Sequence, residues 1–158
     1  MRSGVRIGVD VGRVRIGVAR SDLHGMLATP VETLPRGVGD VAAIVALAKE
    51  LDALEVVVGL PLSLSGASTA STDDARAFAV QLATAGLSVR LVDERLSTVS
   101  AQHALRANGR TTKNSRKVVD QVAAVIILQH ALDAERSRGN APGTAVDPLE
   151  GPDDATGR

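Results

Sequence analysis

The sequence contains no cysteine, tryptophan or tyrosine, and it has a single phenylalanine among 158 residues. The lack of cysteine excludes a disulfide framework, a thiolate zinc site and a cysteine nucleophile. The near absence of aromatic rings argues against a protein that binds single-stranded nucleic acid by stacking bases. No apolar run approaches the roughly 18 residues of a membrane span, and the N-terminus lacks the apolar core of a signal peptide. We therefore expect a cytoplasmic protein with no membrane partner.

The formal net charge is zero, but the charges are unevenly distributed along the chain. Residues 137–158 hold four acids, two arginines, three prolines and four glycines, a composition typical of a disordered segment. The length of the chain favours a single domain. We expect one folded domain over residues 1–136 and a disordered C-terminal tail over residues 137–158.

A second segment of uneven charge is basic. Between residues 95 and 117 the chain has no acid and six basic residues, namely Arg95, Arg106, Arg110, Lys113, Arg116 and Lys117. Such a segment is either a solvated basic face or a surface that contacts a phosphate backbone. The residues alone do not decide between the two.

The stretch VRIGVDVGRVRIGVA, residues 5–19, predicts two buried strands, Val5–Val11 and Arg15–Arg20, joined by a turn through Gly12. Its one carboxylate, Asp10, lies near the end of the first strand. Burying a carboxylate costs several kcal/mol, roughly, unless a cation, a metal or hydrogen bonds compensate. Gly8 and Gly12 flank Asp10 without side chains, which leaves room for a metal, a phosphate or a nucleic-acid strand. The alternative is an acid that caps the turn.

Hydrophobic periodicity and capping residues predict the remaining elements. They are strands at 27–34, 55–60 and 88–92, and helices at 40–52 (capped by Asp40), 72–86 (capped by Thr72), 97–108 and 115–134. The first three strands should form a meander. The run 55–60 is almost wholly apolar, which is typical of a strand buried on both faces and paired in parallel.

Two further acids occupy informative positions. Glu94 directly follows the predicted strand 88–92, and ligands of open α/β sheets bind at that end of the strands. Asp120 shares a helical stripe with Ala123, Ala124 and Ile127, and this stripe should face the sheet. Taken singly, Glu94 could pair with Arg95 or be solvated, and Asp120 could be a favourable charge near a helix N-terminus.

Together these elements give the layout of an α/β, ribonuclease H-like fold: a five-stranded mixed sheet, with an antiparallel meander of strands 1–3 and parallel strands 4–5, flanked by helices. Five motifs resemble the YqgF/RuvX family of Holliday junction resolvases and pre-16S rRNA nucleases. They are VDVG at 9–12, RIGVA at 15–19, GLP at 59–61, DERLST at 93–98, and VD at 119–120 with AAVIILQ at 123–129. The resemblance covers about residues 4–134.

The resemblance implies a metal-dependent nuclease whose catalytic acids and metal ligands are Asp10, Glu94 and Asp120. Three converging carboxylates are suited to Mg²⁺ or Mn²⁺ and to phosphodiester hydrolysis. The family resemblance further implies processing of the 5′ end of pre-16S rRNA during ribosome biogenesis, with nucleic acid and ribosomal particles as partners. Substrate binding is assigned to basic residues that contact phosphates, which are Arg13, Arg15, Arg95, Arg110, Lys113, Arg116 and Lys117.

Several alternatives stay open at this point. The protein could be a Holliday junction resolvase acting on branched DNA, or a non-catalytic RNA-binding factor in ribosome assembly. The first hairpin also resembles that of sugar kinases and actin-like ATPases, but those need a second lobe that 158 residues do not supply. Symmetric cleavage of a four-way junction needs two active sites, whereas the sequence carries no dimerisation signature, so a monomer or a weak homodimer is expected. The choice of RNA or DNA, endo- or exonucleolytic action, and one or two metals stays undecided.

Overall fold

The structure, a computed structural model, describes residues 1–63, 65–94 and 113–148, and within 113–120 it describes the backbone only. Its elements are β1 (Arg6–Val11), β2 (Arg15–Ser21), β3 (Ala28–Pro35), α1 (Asp40–Leu51), β4 (Glu55–Leu60), α2 (Ala70–Thr84), β5 (Val89–Asp93), α3 (Lys113–Arg138) and β6 (Thr144–Val146). The predicted helix at 97–108 lies outside the described residues. Across the described part of the chain, no helix is both long enough and apolar enough to cross a membrane.

The strands form one mixed sheet in the order β3-β2-β1-β4-β5-β6. The pairs β1–β2 and β2–β3 are antiparallel, whereas β1–β4 and β4–β5 are parallel. The predicted meander and the parallel pair are therefore confirmed. Because parallel strands run in one direction, β1, β4 and β5 end at the same edge of the sheet.

The predicted count of five strands is corrected to six. Strand β6 pairs antiparallel with β5, and the Arg90 side chain donates hydrogen bonds to the carbonyls of Pro142 and Gly143 just before it. The glycines and prolines around this segment predicted a disordered tail, but a short run with β-branched residues covers the otherwise open edge of β5. Residues 149–158 lie outside the described part, so the tail boundary itself stays a prediction.

Helices cover both faces of the sheet. On one face α1 and α2 pack against alternate strand residues, including Val56 and Val58, around the buried Phe78. On the other face α3 packs against Val57, Val92 and their neighbours through Ala123, Ala124 and Ile127. Strand β4 is thus buried on both faces, as its apolar run predicted.

Two predicted helix caps are corrected. Helix α1 has Gly39 at its N-cap position, and Asp40 follows in the first turn. Helix α2 begins earlier than predicted, because Thr69 is the cap and Thr72 is its partner in a capping box. Two threonines three residues apart bond reciprocally to each other's backbone N–H groups, which favours the earlier start. The Thr72 hydroxyl also donates to the Pro61 carbonyl.

The absence of a side chain at Gly8 serves helix packing. A Cβ atom there would lie 2.6 Å from Leu128 Cβ and 3.0 Å from the Ala124 carbonyl oxygen. Helix α3 therefore occupies the space beside Gly8 that the sequence had suggested for a metal, a phosphate or a nucleic-acid strand. This close approach brings α3 directly onto β1, the strand that carries Asp10.

Candidate active site

Asp10 lies near the end of β1 and is only 1% exposed. It is the second residue after Gly8, and side chains two residues apart in a strand point to the same face of the sheet. Since Gly8 contacts α3, the Asp10 carboxylate is on the α3 face. In the antiparallel pairing of β1 with β2, Asp10 lies opposite Gly17.

Glu94 follows β5 at the same edge and is 4% exposed. Its side chain lies over Gly59 of β4, since a Cβ atom at Gly59 would be 3.1 Å from Glu94 Cγ. The same Cβ would be 2.5 Å from Ile127 Cδ1 of α3, so Glu94 is also on the α3 face. Strand β4 lies between β1 and β5, which places Asp10 and Glu94 on either side of a residue that has no side chain.

The direction of α3 gives the position of Asp120. The Gln121 side chain donates to Thr33 Oγ1 near the end of β3 at 3.1 Å, while Gln129 Oε1 accepts from the Ala28 amide at its start at 2.9 Å. Helix α3 therefore runs opposite to β3 and begins at the edge where β1, β4 and β5 end. Ala124 lies beside Gly8. Asp120 is one helical turn before Ala124, and Asp10 is two residues beyond Gly8, so both acids are displaced from this contact towards the same edge. A rise of about 6 Å along the helix matches about 6.6 Å along the strand, so the backbone of Asp120 is level with Asp10.

The structure thus brings two of the three predicted acids to one face and one edge of the sheet. The side chain of the third acid, Asp120, lies outside the described residues, so its convergence with the other two stays a prediction. Among the described side chains, no group of three or more histidine, aspartate or glutamate residues is close enough to hold a metal. Two buried carboxylates are the oxygen donors that hard divalent cations prefer, so the residues present fit such an ion.

The predicted substrate-binding residues differ in their placement. Arg15 is partly buried at the start of β2. Arg13 is exposed and lines a pocket with Arg36 and Asp74 on the α1–α2 face, opposite to the acids. Hydrogen bonds from Arg36 hold the pKa of Asp74 below its usual range, and the charge of Arg13 contributes less. The assignment of Arg13 to substrate stays a prediction.

The basic segment is described only in part. Lys113, Arg116 and Lys117 belong to the first turns of α3, so their backbone lies at the edge that carries the acids. Their side chains, like Arg95 and Arg110 as a whole, lie outside the description. Substrate contacts by these five residues stay a prediction.

A group of charges that sequence reasoning missed lies at the opposite edge of the sheet, where Arg6, Glu55 and Glu135 are buried and Arg2 is exposed. Glu135 of α3 accepts hydrogen bonds from Arg2 Nη2 at 2.8 Å and from Arg6 Nη2 at 3.0 Å, and Arg2 also binds Glu55. The bonds from Arg2 lower the pKa of Glu135 to about 2. Arg6 and Glu55 begin two buried strands, which is a signal that the sequence did contain. These pairs fix the C-terminal half of α3 over β1 and β4, and thereby its N-terminal half over the acids.

The sequence of this chain matches the model of a known protein family. The profile of the RuvX family, described as "Holliday junction resolvase", matches residues 4–134. The chain belongs to the RuvX family. The predicted family membership is therefore confirmed, and the matched residues include Asp10, Glu94 and Asp120.

Curated relatives of this RuvX-family chain cover nearly its whole length. A protein of Clavibacter michiganensis subsp. michiganensis named "Putative pre-16S rRNA nuclease" is 63% identical over 150 residues, which is 92% of this chain and 93% of that protein. A protein of the same name from Leifsonia xyli subsp. xyli is 61% identical over 156 residues, covering 96% of this chain and all of the other. Both relatives thus match this chain along its length.

A solved structure supports the fold. The structure titled "T. thermophilus RuvC in complex with Holliday junction substrate" superposes with a TM-score of 0.53 at 17% identity, covering 88% of this chain and 98% of the other. At that identity the similarity concerns the fold alone. The ribonuclease H-like fold expected for this RuvX-family protein is confirmed.

Proposed function

We propose that this RuvX-family protein is a divalent-metal-dependent nuclease that hydrolyses phosphodiester bonds in pre-16S rRNA, and that it acts in the cytoplasm. The observation that carries the proposal is the placement of Asp10 and Glu94, which are both buried on the α3 face where β1 and β5 end. The names of relatives at 63% and 61% identity support the substrate.

The proposed metal ligands are Asp10, Glu94 and Asp120, which would hold Mg²⁺ or Mn²⁺. A bound ion of this kind activates water and stabilises the leaving oxygen of a phosphodiester. The protein residues would fix the ligand geometry, since Asp10 lies within a paired strand and Glu94 lies over Gly59. Because both acids are buried, bulk water is largely excluded from the carboxylates, which strengthens electrostatic interactions there.

Substrate would reach the acids along the basic start of α3. Lys113, Arg116 and Lys117 precede Asp120 by one to two turns, and we assign phosphate contacts to them together with Arg15, Arg95 and Arg110. Such contacts orient a nucleic-acid backbone without reading its sequence. This arrangement suits a structured substrate recognised by shape and charge.

Branched DNA is a second candidate substrate, because the family description names a Holliday junction resolvase. A cleavage assay separates the candidates. The purified protein is incubated with a transcript that carries the 5′ precursor segment of 16S rRNA, and with a four-way DNA junction, in Mg²⁺, Mn²⁺ or EDTA. We expect metal-dependent cleavage of the transcript at its precursor segment. Preferred cleavage of the junction would assign the enzyme to branched DNA.

The assay includes Asp10→Asn and, as its matched control, Asp52→Asn. Asp52 is exposed and has a positive φ of 50°, a conformation that asparagine tolerates well. We expect the first variant to be inactive and the control to keep full activity. Binding of the transcript without cleavage in any metal would favour a non-catalytic assembly factor and contradict the proposal.

A further inference from the structure

The turn that follows Asp10 is held by a residue distant in sequence. Residues 12–14 connect β1 to β2, and the Gly12 amide donates to the Arg15 carbonyl at 2.9 Å. Arg36, directly after β3, binds this turn twice. Its amide donates to the Val14 carbonyl at 2.9 Å, and its Nη1 donates to the Gly12 carbonyl at 2.8 Å. One residue therefore contacts both ends of the turn.

Arg36 is itself fixed from several sides. Its Nη1 and Nη2 donate to the two carboxylate oxygens of Asp74 at 2.7 and 3.0 Å, and its Nε lies 3.6 Å from Asp40. The guanidinium carbon lies over the Phe78 ring, 5.5 Å from its centroid. Phe78 is the only aromatic residue of the chain, and it lies one helical turn after Asp74 on α2. A bidentate ion pair together with a cation–π contact restricts the orientation of the guanidinium.

The pairings of β1 with its two neighbouring strands end at different residues. The pairing of β1 with β4 ends at Val9 and Val58, whereas the pairing with β2 continues to Val11 and Ile16. Asp10 is thus the first residue of β1 beyond its paired register with β4. The contact of Arg36 with Gly12, two residues after Asp10, adds an attachment between this end of β1 and α2.

We propose that Arg36 is a positioning residue of the nuclease site: together with Asp74 and Phe78 it ties the turn after Asp10 to α2, and so fixes the Asp10 carboxylate relative to Glu94. This inference rests on the proposed function. It assigns no contact with substrate to Arg36, which acts through the backbone of Gly12. Lysine cannot replace it, because one ammonium group cannot reproduce the planar fork that reaches Gly12 and both oxygens of Asp74.

The test compares Arg36→Met and Arg36→Lys with Arg76→Met. Both Arg36 variants keep an unbranched aliphatic side chain, and Arg36→Lys also keeps the charge and serves as the second variant if Arg36→Met is unstable. Arg76 is exposed on α2, the helix that carries Asp74 and Phe78, and it controls for the loss of one arginine. The measurements are kcat and KM for the cleaved substrate, Mn²⁺ affinity by calorimetry, and hydrogen exchange of the segment 9–16.

In both Arg36 variants we expect kcat and Mn²⁺ affinity to fall by roughly 10- to 100-fold, the range found when groups that orient metal ligands are removed. KM should change by less than about threefold, because no substrate contact is lost. Exchange in the segment 9–16 should become faster. Arg76→Met should match the unmodified protein in every measurement.

The outcomes separate this inference from the proposed function. If folded Arg36 variants keep normal kcat and Mn²⁺ affinity while Asp10→Asn loses both, the positioning role is wrong and the nuclease site stands. A lower melting temperature with normal Mn²⁺ affinity would reduce Arg36 to a structural role and likewise overturn the inference. Full activity of Asp10→Asn would refute the nuclease site, and the role of Arg36 with it.

Discussion

Replacing Glu135 by glutamine should destabilise the protein strongly at neutral pH and weakly in acid. Glu135 is 2% exposed and accepts hydrogen bonds from Arg2 and Arg6, and Arg6 is itself 1% exposed. The Glu135→Gln substitution keeps the shape of the side chain but leaves the buried Arg6 guanidinium without its carboxylate. Removing one partner of a buried ion pair costs about 3–5 kcal/mol.

The pH dependence follows from the lowered pKa of Glu135. Hydrogen bonds from Arg2 move the pKa from its usual 4.5 to about 2. At about 1.4 kcal/mol per pH unit, this difference corresponds to ~3 kcal/mol of folding free energy. Since the pKa is lower in the folded state, that stabilisation is fully present above pH 4.5 and is lost as the pH falls towards 2. The Glu135→Gln variant has no carboxylate at this position, so its stability does not fall in acid for this reason.

Urea unfolding of both proteins between pH 7 and pH 2.5 measures the effect, with Glu50→Gln as a control at an exposed position. The difference in unfolding free energy between the original protein and Glu135→Gln should shrink by more than about 2 kcal/mol over this range, while the control stays within about 0.5 kcal/mol. A difference that is small at pH 7, or one that does not vary with pH, would refute the role of the Arg2–Arg6–Glu135 pairs.

Three further predictions concern the site, the added strand and the basic segment. Gly59→Ala should lower Mn²⁺ affinity and destabilise the fold by about 1–3 kcal/mol, because its Cβ would lie 2.5 Å from Ile127 Cδ1 and 3.1 Å from Glu94 Cγ; normal calorimetry and melting would contradict this. Deleting residues 139–158 should lower the melting temperature, whereas deleting 149–158 should leave it nearly unchanged, since only the first removes β6; equal melting curves would show that β6 adds nothing. Replacing Arg110, Lys113, Arg116 and Lys117 by alanine should reduce the salt dependence of nucleic-acid binding by about 0.7–0.9 log units per lost phosphate contact. Filter binding at several salt concentrations measures this, with a Lys49→Ala, Arg76→Ala double variant as the control. If the slope of log affinity against log salt concentration is unaltered, the basic segment is only a solvated face.

Local patterns in the sequence predicted the sheet closely. The bounds of β4 agree with the prediction, because a short apolar run that is rich in valine and ends at Pro61 favours a buried strand. The placement of Asp10 and Glu94 at one sheet edge was predictable for a related reason, since a carboxylate at the end of an apolar strand stands out from its surroundings. Their common face emerged only from the contacts of Gly8 and Gly59 with α3.

What the sequence could not predict depends on contacts between distant residues. Arg36 shows no local sign of its role, because its partners Gly12, Asp74 and Phe78 come together only in the folded chain. Strand β6 is three residues long and lies between glycine and proline, so its pairing depends on the open edge of β5. The start of α2 was misplaced for a different reason: several threonines and serines could cap it, and the capping box decided in favour of Thr69.

The central claim is that Asp10 and Glu94 help to hold a divalent metal at the sheet edge, and calorimetric titration with Mn²⁺ tests it most directly. The original protein and Asp52→Asn should bind Mn²⁺ with equal affinity, whereas Asp10→Asn and Glu94→Gln should each lose binding while remaining folded by circular dichroism. Unchanged Mn²⁺ affinity in folded Asp10→Asn and Glu94→Gln would contradict the account.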